Sequence, residues 1–225
     1  MTVNLKQMAA EKAVNEFVKD GMTVGLGTGT TAYYAIKAVG RLAEMGFRLI
    51  CVATSEQTEK IAKECGITIV DLDSVDHVDV TIDGADEVDP HMQLIKGLGG
   101  ALLREKIVAS ASRAEVIVVD DSKLVEKLGT RGPLPVEVLM FGHMKTKRAL
   151  ELQGCTAALR MKDGRPFVTD SNNYIYDCTF EGGINNPFFL ETRLNVIPGV
   201  VDNGLFLNTA TAVIIAAADG TVRMM

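Results

Sequence analysis

Clustered cysteines and histidines are missing from this chain. Cys51, Cys65, Cys155 and Cys178 lie far apart with no Cys-x-x-Cys, and His77, His91 and His143 are equally scattered. Zinc sites and dithiol centres need their ligands at close spacing, so neither is expected and no metal site is assigned. The cysteines read instead as reduced, mostly buried small hydrophobes. Long apolar runs are missing too: none approaches the roughly 20 residues of a membrane span, and Met1-Thr-Val-Asn-Leu-Lys6 carries no signal-peptide core. The expected location is the cytoplasm, with no membrane partner. Positive charge is short, with 23 Lys and Arg against 29 Asp and Glu and a formal net charge of -6. That balance argues against a nucleic-acid binder, which would normally show a basic face. An anionic substrate would need locally placed cations.

What is present suits an ordinary globular protein: 225 residues, 47% hydrophobic and 23% charged, enough for one large domain or one domain plus a small one. Leu5, Met8, Ala9, Ala13 and Phe17 recur at helical spacing, predicting a first helix over Leu5 to Lys19 with Gly21 as its C-terminal cap. Met22 to Gly27 reads as a buried strand, Thr31 to Glu44 as a helix, and Arg48 to Ala53 as a second strand. Thr54-Ser-Glu-Gln57 has the form of a capping box opening a helix that stops at Gly66. Strands Ile67 to Val70, Val78 to Ile82 and Glu115 to Val119 follow, with a helix from about Ala101 to Ser112. Apolar strands alternating with helices indicate a parallel sheet covered on both faces.

After Lys127-Leu-Gly-Thr-Arg-Gly-Pro133 the order becomes β-α-β-β-α-β: Leu134 to Met140, His143 to Gln153, Cys155 to Met161, Tyr174 to Phe180, Pro187 to Leu194, and an extended piece near Val200. That is the ferredoxin-like order. Thr211 to Ala217 is an apolar strand that should rejoin the first sheet. The expected fold class is α/β: a Rossmann-like domain over 1–130 and 204–225, with a smaller ferredoxin-like α+β domain, 131–203, inserted before the C-terminal strands.

Two glycine-rich turns carry the chemistry. Gly27-Thr-Gly-Thr-Thr-Ala32 lies between a strand and a helix, where free N–H groups and the positive helix end attract an anion. It satisfies G-x-G-x-x-A, but the next strand ends in Ala53-Thr54-Ser55 and the acid that a dinucleotide ribose would need arrives late, at Glu56. No Gly-Lys-Ser/Thr follows, which rules out a Walker loop. Taken alone, the glycines need mean only a tight turn. Eight acids fall between Asp71 and Asp89, most simply a solvated stretch, and Val75 and Ala85 break calcium-loop spacing. Asp83 and Asp86 differ because they follow a strand end, where α/β sheets bind ligands, and Gly84 lets the backbone turn there.

Lys96 precedes Gly97-Leu-Gly-Gly100 and then a helix, so a cation and exposed N–H donors could together hold a developing oxyanion. Glu105 has Ala101, Leu102, Val108 and Ala109 as its helical neighbours, with no basic partner at those spacings. A carboxylate on an apolar face needs a function or a tertiary partner. Burial would raise its pKa into the range of a general base.

At this point the chain resembles the type A ribose-5-phosphate isomerase family along nearly its whole length. The resemblance rests on Gly25 to Ala32, Val80 to Glu87, Ile95 to Lys106, Asp121 to Leu124, Pro133 to Glu137 and Ile197 to Val200, six signatures in order. It implies a cofactor-free interconversion of ribose 5-phosphate and ribulose 5-phosphate through a cis-enediolate. Glu105 would be the proton acceptor, with Lys96, Asp83 and Asp86 assisting. Substrate would be bound by Thr28, Gly29, Thr30, Thr31, by Asp83, Gly84, Ala85, Asp86, by Lys96, Gly97, Leu98, Gly99, and by Lys123. Thr30 stands where serine is common, and Leu98 interrupts a frequently all-glycine run, which could narrow the turn but leaves its backbone donors in place. A basic residue of the first helix, here Lys6, would lie near the phosphate. The family is typically a homodimer or homotetramer. Two other classes stay open from the residues alone: a sugar-phosphate-sensing module of a regulator, which usually has a DNA-binding helix pair, and a nicotinamide oxidoreductase.

Overall fold

Residues 4–225 are described by a computed structural model. In chain order the elements are α1 (Leu5–Phe17), β1 (Thr23–Leu26), α2 (Ala32–Glu44), β2 (Ile50–Ala53), α3 (Glu56–Glu64), β3 (Val80–Asp83), β4 (Glu87–Val88), β5 (Leu94–Ile95), α4 (Leu102–Ser110), β6 (Glu115–Asp120), β7 (Leu134–Val138), α5 (His143–Glu151), β8 (Thr156–Leu159), β9 (Met161–Lys162), β10 (Arg165–Pro166), β11 (Tyr174–Thr179), α6 (Pro187–Asn195), β12 (Val200–Asn203), β13 (Leu205–Phe206), β14 (Ala212–Ala216) and β15 (Val222–Met224). They group into two compact units, one of residues 1–85, 104–123 and 208–225, the other of 86–103 and 124–207. Residues 131–203, the expected small domain, all fall in the second unit, which also takes in 86–103, 124–130 and 204–207. Among the described residues no helix is long and apolar enough to cross a membrane.

In the first unit, β15-β14-β6-β3-β1-β2 form one sheet, parallel throughout except for the edge strand β15. The strands are apolar along their length because both faces are covered. Val24, Leu26, Val80, Ile82, Val116 and Val118 share a core with Ala9, Ala13 and Val14 of α1 and Ile36 and Val39 of α2. Strand order reverses between β1 and β3, since β2 lies on one side of β1 and all later strands on the other. Such a switch point opens a crevice beyond the carboxyl ends of the two strands.

Three local expectations change. Helix α1 stops at Phe17 because Val18 turns extended (ψ 128°) while its N–H still caps onto Val14 O; Gly21, at φ +85°, belongs to the following turn. Ser55, not Thr54, caps α3 by accepting the Thr58 N–H at 3.0 Å, because Thr54 gives its hydroxyl to Leu26 O. Ile67 to Val70 makes only a single parallel bridge, Cys51 to Ile69, before the chain bends into the 3-10 turn Leu72–Ser74.

The second unit is built on an antiparallel sheet in the order β12-β7-β11-β8. With α5 between β7 and β8 and α6 between β11 and β12, it has the β-α-β-β-α-β order expected from sequence. Leu134, Val136, Val138, Tyr176 and Cys178 pack with Leu150 of α5 and Leu194 of α6. Asn186 caps α6 through Phe189 N–H, with Pro187 in the first turn. Strands β13, β5 and β4 add a small antiparallel sheet. All four cysteines are free thiols, and burial pushes Cys51 up to about 12.

Candidate active site

The first unit gathers several of the expected residues at the carboxyl ends of β1, β3 and β6, three adjacent strands. Gly27 follows β1 and Asp83 ends β3. A Cβ on Gly27 would lie 2.1 Å from Asp83 Oδ1, so only glycine lets the loop pass. Asp83 is fully buried, and its Oδ1 accepts the N–H groups of Thr28 (3.1 Å) and Gly84 (2.7 Å). Gly84 and Ala85 are half-buried behind it. Lys123 closes the 3-10 turn Asp121–Lys123 that follows β6.

Beyond Thr28, the loop turns through Gly29 (φ +107°) into α2. Thr31 occupies the N-cap of α2 without bonding it through its side chain. The positive end of a 13-residue helix is thus presented beside two threonine hydroxyls, a suitable anion cradle. Lys6 of α1 donates to Thr30 Oγ1 at 2.7 Å, and both line a cavity of about 560 Å³ with Gly29, Tyr33, Tyr34 and Thr58. Thr28 is different: its hydroxyl lies within hydrogen-bond distance of Thr54 (2.8 Å), Ser55 (2.8 Å) and Thr58 (3.1 Å), and Thr58 in turn donates to Gly27 O. Sequence reasoning read Thr54 and Ser55 only as part of a helix cap and assigned Thr58 no part. The density of hydroxyls just after a strand end was the signal available for them.

Glu105 sits in the first turn of α4 and is only 5% exposed, among the buried Leu102, Val108 and Ala109. The apolar helix face read from the sequence is therefore real, and it buries the carboxylate.

In the second unit Lys96 follows β5 and is 2% exposed. Its N–H bonds Gly204 O, and its Nζ lies 5.3 Å from the Phe206 ring centroid. Gly97 (φ +101°) and Gly100 (φ +89°) take left-handed conformations, and at either one a Cβ would strike Leu102 or Phe167. Leu98 is exposed, at 44%. Its N–H, however, is committed to Asp86 Oδ2 at 2.9 Å, and Gly100 N–H to Gly97 O. Asp86 thus braces the turn as well as being a site candidate. Gly99 is exposed with open space around its Cα. Glu87, a residue without an assigned role in the sequence reading, accepts the N–H groups of Gly129, Arg131 and Gly132 while 2% exposed. Among the described residues no group of three or more His, Cys, Asp or Glu side chains could hold a metal ion.

Residues 50–220 match the model of ribose 5-phosphate isomerase A (phosphoriboisomerase A). The chain belongs to this family. It is 49% identical over 218 residues to ribose-5-phosphate isomerase A of Bacillus mycoides, covering 97% of this chain and 98% of that one. A ribose 5-phosphate isomerase structure from Plasmodium falciparum superposes with a TM-score of 0.95 at 42% identity, covering 98% of this chain and 97% of the other. A D-ribose-5-phosphate isomerase solved in complex with phospho-erythronic acid gives 0.94 at 40% identity, over 98% and 97%. As a type A isomerase the chain is an enzyme that interconverts ribose 5-phosphate and ribulose 5-phosphate, and the regulatory and nicotinamide-dependent alternatives are set aside.

Proposed function

We propose that Glu105 is the base of this isomerisation. It takes the C2 proton of the open-chain aldose, leaving a cis-enediolate, and returns a proton to C1 to give the ketose. Lys96, with the N–H groups of Gly97 and Gly99, holds the oxyanion as it develops, while the Leu98 N–H stays on Asp86. Asp83 and Asp86 bind the sugar hydroxyls, and one of them assists ring opening and moves the proton between O1 and O2. Thr28 to Thr31, Lys6 and Lys123 take the phosphate and the hydroxyl beside it. A positioned base supplies roughly 10²- to 10⁴-fold. Each oxyanion donor adds about 10²- to 10³-fold.

The observation that carries this reading is the bond from Thr28 N–H to Asp83 Oδ1. It joins an anion-binding loop directly to a buried acceptor for hydroxyls, which suits a ligand bearing a phosphate at one end and a polyol at the other. The phospho-erythronic acid bound by a related isomerase has that same combination. The β-α-β-β-α-β run of Leu134 to Asn203 lies complete within 131–203, which supports that segment as the inserted domain. We further infer a cytoplasmic homodimer or homotetramer, an assembly that light scattering of the purified protein measures. The deciding experiment for the reaction is conversion of ribose 5-phosphate without added cofactor or metal, followed directly at the ketose. Substrate C2 hydrogen should exchange with solvent during turnover. No conversion without a nicotinamide or a divalent ion would overturn the proposal.

A further inference from the structure

Arg160 is the single residue between β8 and β9, and its backbone is fixed on both sides. Its N–H bonds Ile175 O at 2.8 Å, and its carbonyl accepts Phe167 N–H at 2.9 Å. The side chain is 13% exposed, and its guanidinium carbon lies 6.0 Å from the Phe167 ring centroid. Two of its nitrogens, Nε and Nη2, engage both oxygens of Asp177 on β11. The remaining one, Nη1, donates to two consecutive backbone carbonyls, Gly97 O at 2.9 Å and Leu98 O at 3.1 Å. These are the carbonyls of the turn that follows Lys96.

A trans peptide is planar, and its C=O and N–H point in opposite directions. Among the described residues no peptide is cis. When Arg160 holds the Gly97 carbonyl, the N–H of Leu98 in the same plane must face the other way, and there it meets Asp86 Oδ2. When Arg160 holds the Leu98 carbonyl, the N–H of Gly99 is turned to that same opposite side. Phe167, whose ring lies beside the guanidinium, also blocks the space beside Gly100. Arg160 and Phe167 therefore support the turn from its carbonyl face. Asp177 keeps the guanidinium plane in register, since a forked ion pair fixes orientation as well as position.

We propose that Arg160 is a positioning residue for the isomerisation: it fixes the peptide planes of the 97–99 turn so that the Leu98 N–H braces Asp86 and the Gly99 N–H faces the substrate oxygens. This rests on the reading of the Lys96 turn as the oxyanion site. Donors that are oriented before reaction cost no reorganisation when charge develops, so freeing these planes slows proton transfer more than it weakens binding. Lysine cannot reproduce the arrangement, because one ammonium cannot span Asp177 and both carbonyls.

The test uses Arg160→Met, Arg160→Lys and Lys96→Met in the intact enzyme, with kcat, KM, the kinetic isotope effect for substrate deuterated at C2, and the unfolding temperature measured on each. The expected result for Arg160→Met is a kcat lower by about 10- to 100-fold, with KM within about threefold of wild type. Its isotope effect should be at least as large as wild type's, which marks proton transfer as the slowed step. Arg160→Lys should fall short of wild type in kcat in the same manner, and it carries the test alone if the methionine variant does not fold. If Arg160 merely staples β8 to β11, both variants melt earlier and keep wild-type kcat and isotope effect, and the proposal is wrong. Lys96→Met separates the two layers. Wild-type turnover in that variant removes the oxyanion reading itself, whereas loss there beside full activity in the Arg160 variants overturns only the role given to Arg160.

Discussion

In the mechanism proposed above, Glu105 is the residue on which the chemistry turns. Replacing its carboxylate by the isosteric amide keeps shape and packing and removes the base. Glu105→Gln is therefore expected to lower kcat by at least about 10²-fold with KM little changed. Steady-state kinetics on ribose 5-phosphate check this, and a variant with most of its turnover would make Glu105 a structural residue. Glu105 was legible because its helical neighbours are apolar, so the sequence alone showed a charge on an inward face. Gly27 was legible as a loop glycine, but its reason was not: what forbids a side chain there is Asp83, 56 positions away in a parallel neighbour. Arg160 was not legible at all. Its partners at 97 and 98 lie 63 and 62 residues away, and nothing near an arginine in sequence tells which distant carbonyls it will hold.

Among the elements, the long helices and apolar strands announced themselves through periodicity, while two-residue strands such as β4 and β5 did not. Pairings that short gain their stability from what surrounds them. Strand β4 shows this, because its first residue, Glu87, spreads one carboxylate over three N–H groups of the 129–132 loop at 2.6 to 3.0 Å. Hydrogen bonds to a charged acceptor contribute about 1.5 to 3 kcal/mol net, and bonds sharing one carboxylate do not add fully. Glu87→Ala should therefore lower the unfolding free energy by about 2 to 3 kcal/mol and speed hydrogen exchange at Gly129, Arg131 and Gly132. Glu87→Gln should not rescue it, because its amide NH₂ must face either Gly129 N–H or the Arg131 and Gly132 pair, donor against donor. Denaturant titration with amide exchange reads both effects; unchanged exchange at those three amides would show the clamp to be idle.

Over the whole molecule, the order of elements was readable because each switch from helical to strand spacing is local. The four chain crossings between the two units, at 85/86, 103/104, 123/124 and 207/208, were not, since they depend on which surfaces pack. Folding also buries acids that the net charge of -6 leads one to expect on the surface, among them Asp83, Glu87, Glu105 and Glu137. Glu137 lies on β7, flanked by β12 and β11, and is 1% exposed. Burial pushes its pKa above the ordinary 4.5; hydrogen bonds from Asn173 and Thr169 oppose the shift, and the nearby charges of Asp202 and Asp170 add to it. The sign follows directly. The folded state favours neutral Glu137, so its contribution to stability is full below 4.5 and is lost as pH rises through the higher folded value. Glutamine stays neutral at every pH, and its amide oxygen can keep both bonds, since Thr169 (2.8 Å) and Asn173 (3.0 Å) donate to the same oxygen. Urea titrations of wild type and Glu137→Gln from about pH 4 to pH 8 should therefore diverge, the variant gaining on wild type as pH rises and then holding a constant lead. A gap between the two that does not change with pH would mean that Glu137 ionises alike in the folded and unfolded chain, and that β7 carries a buried charge at no pH-dependent cost.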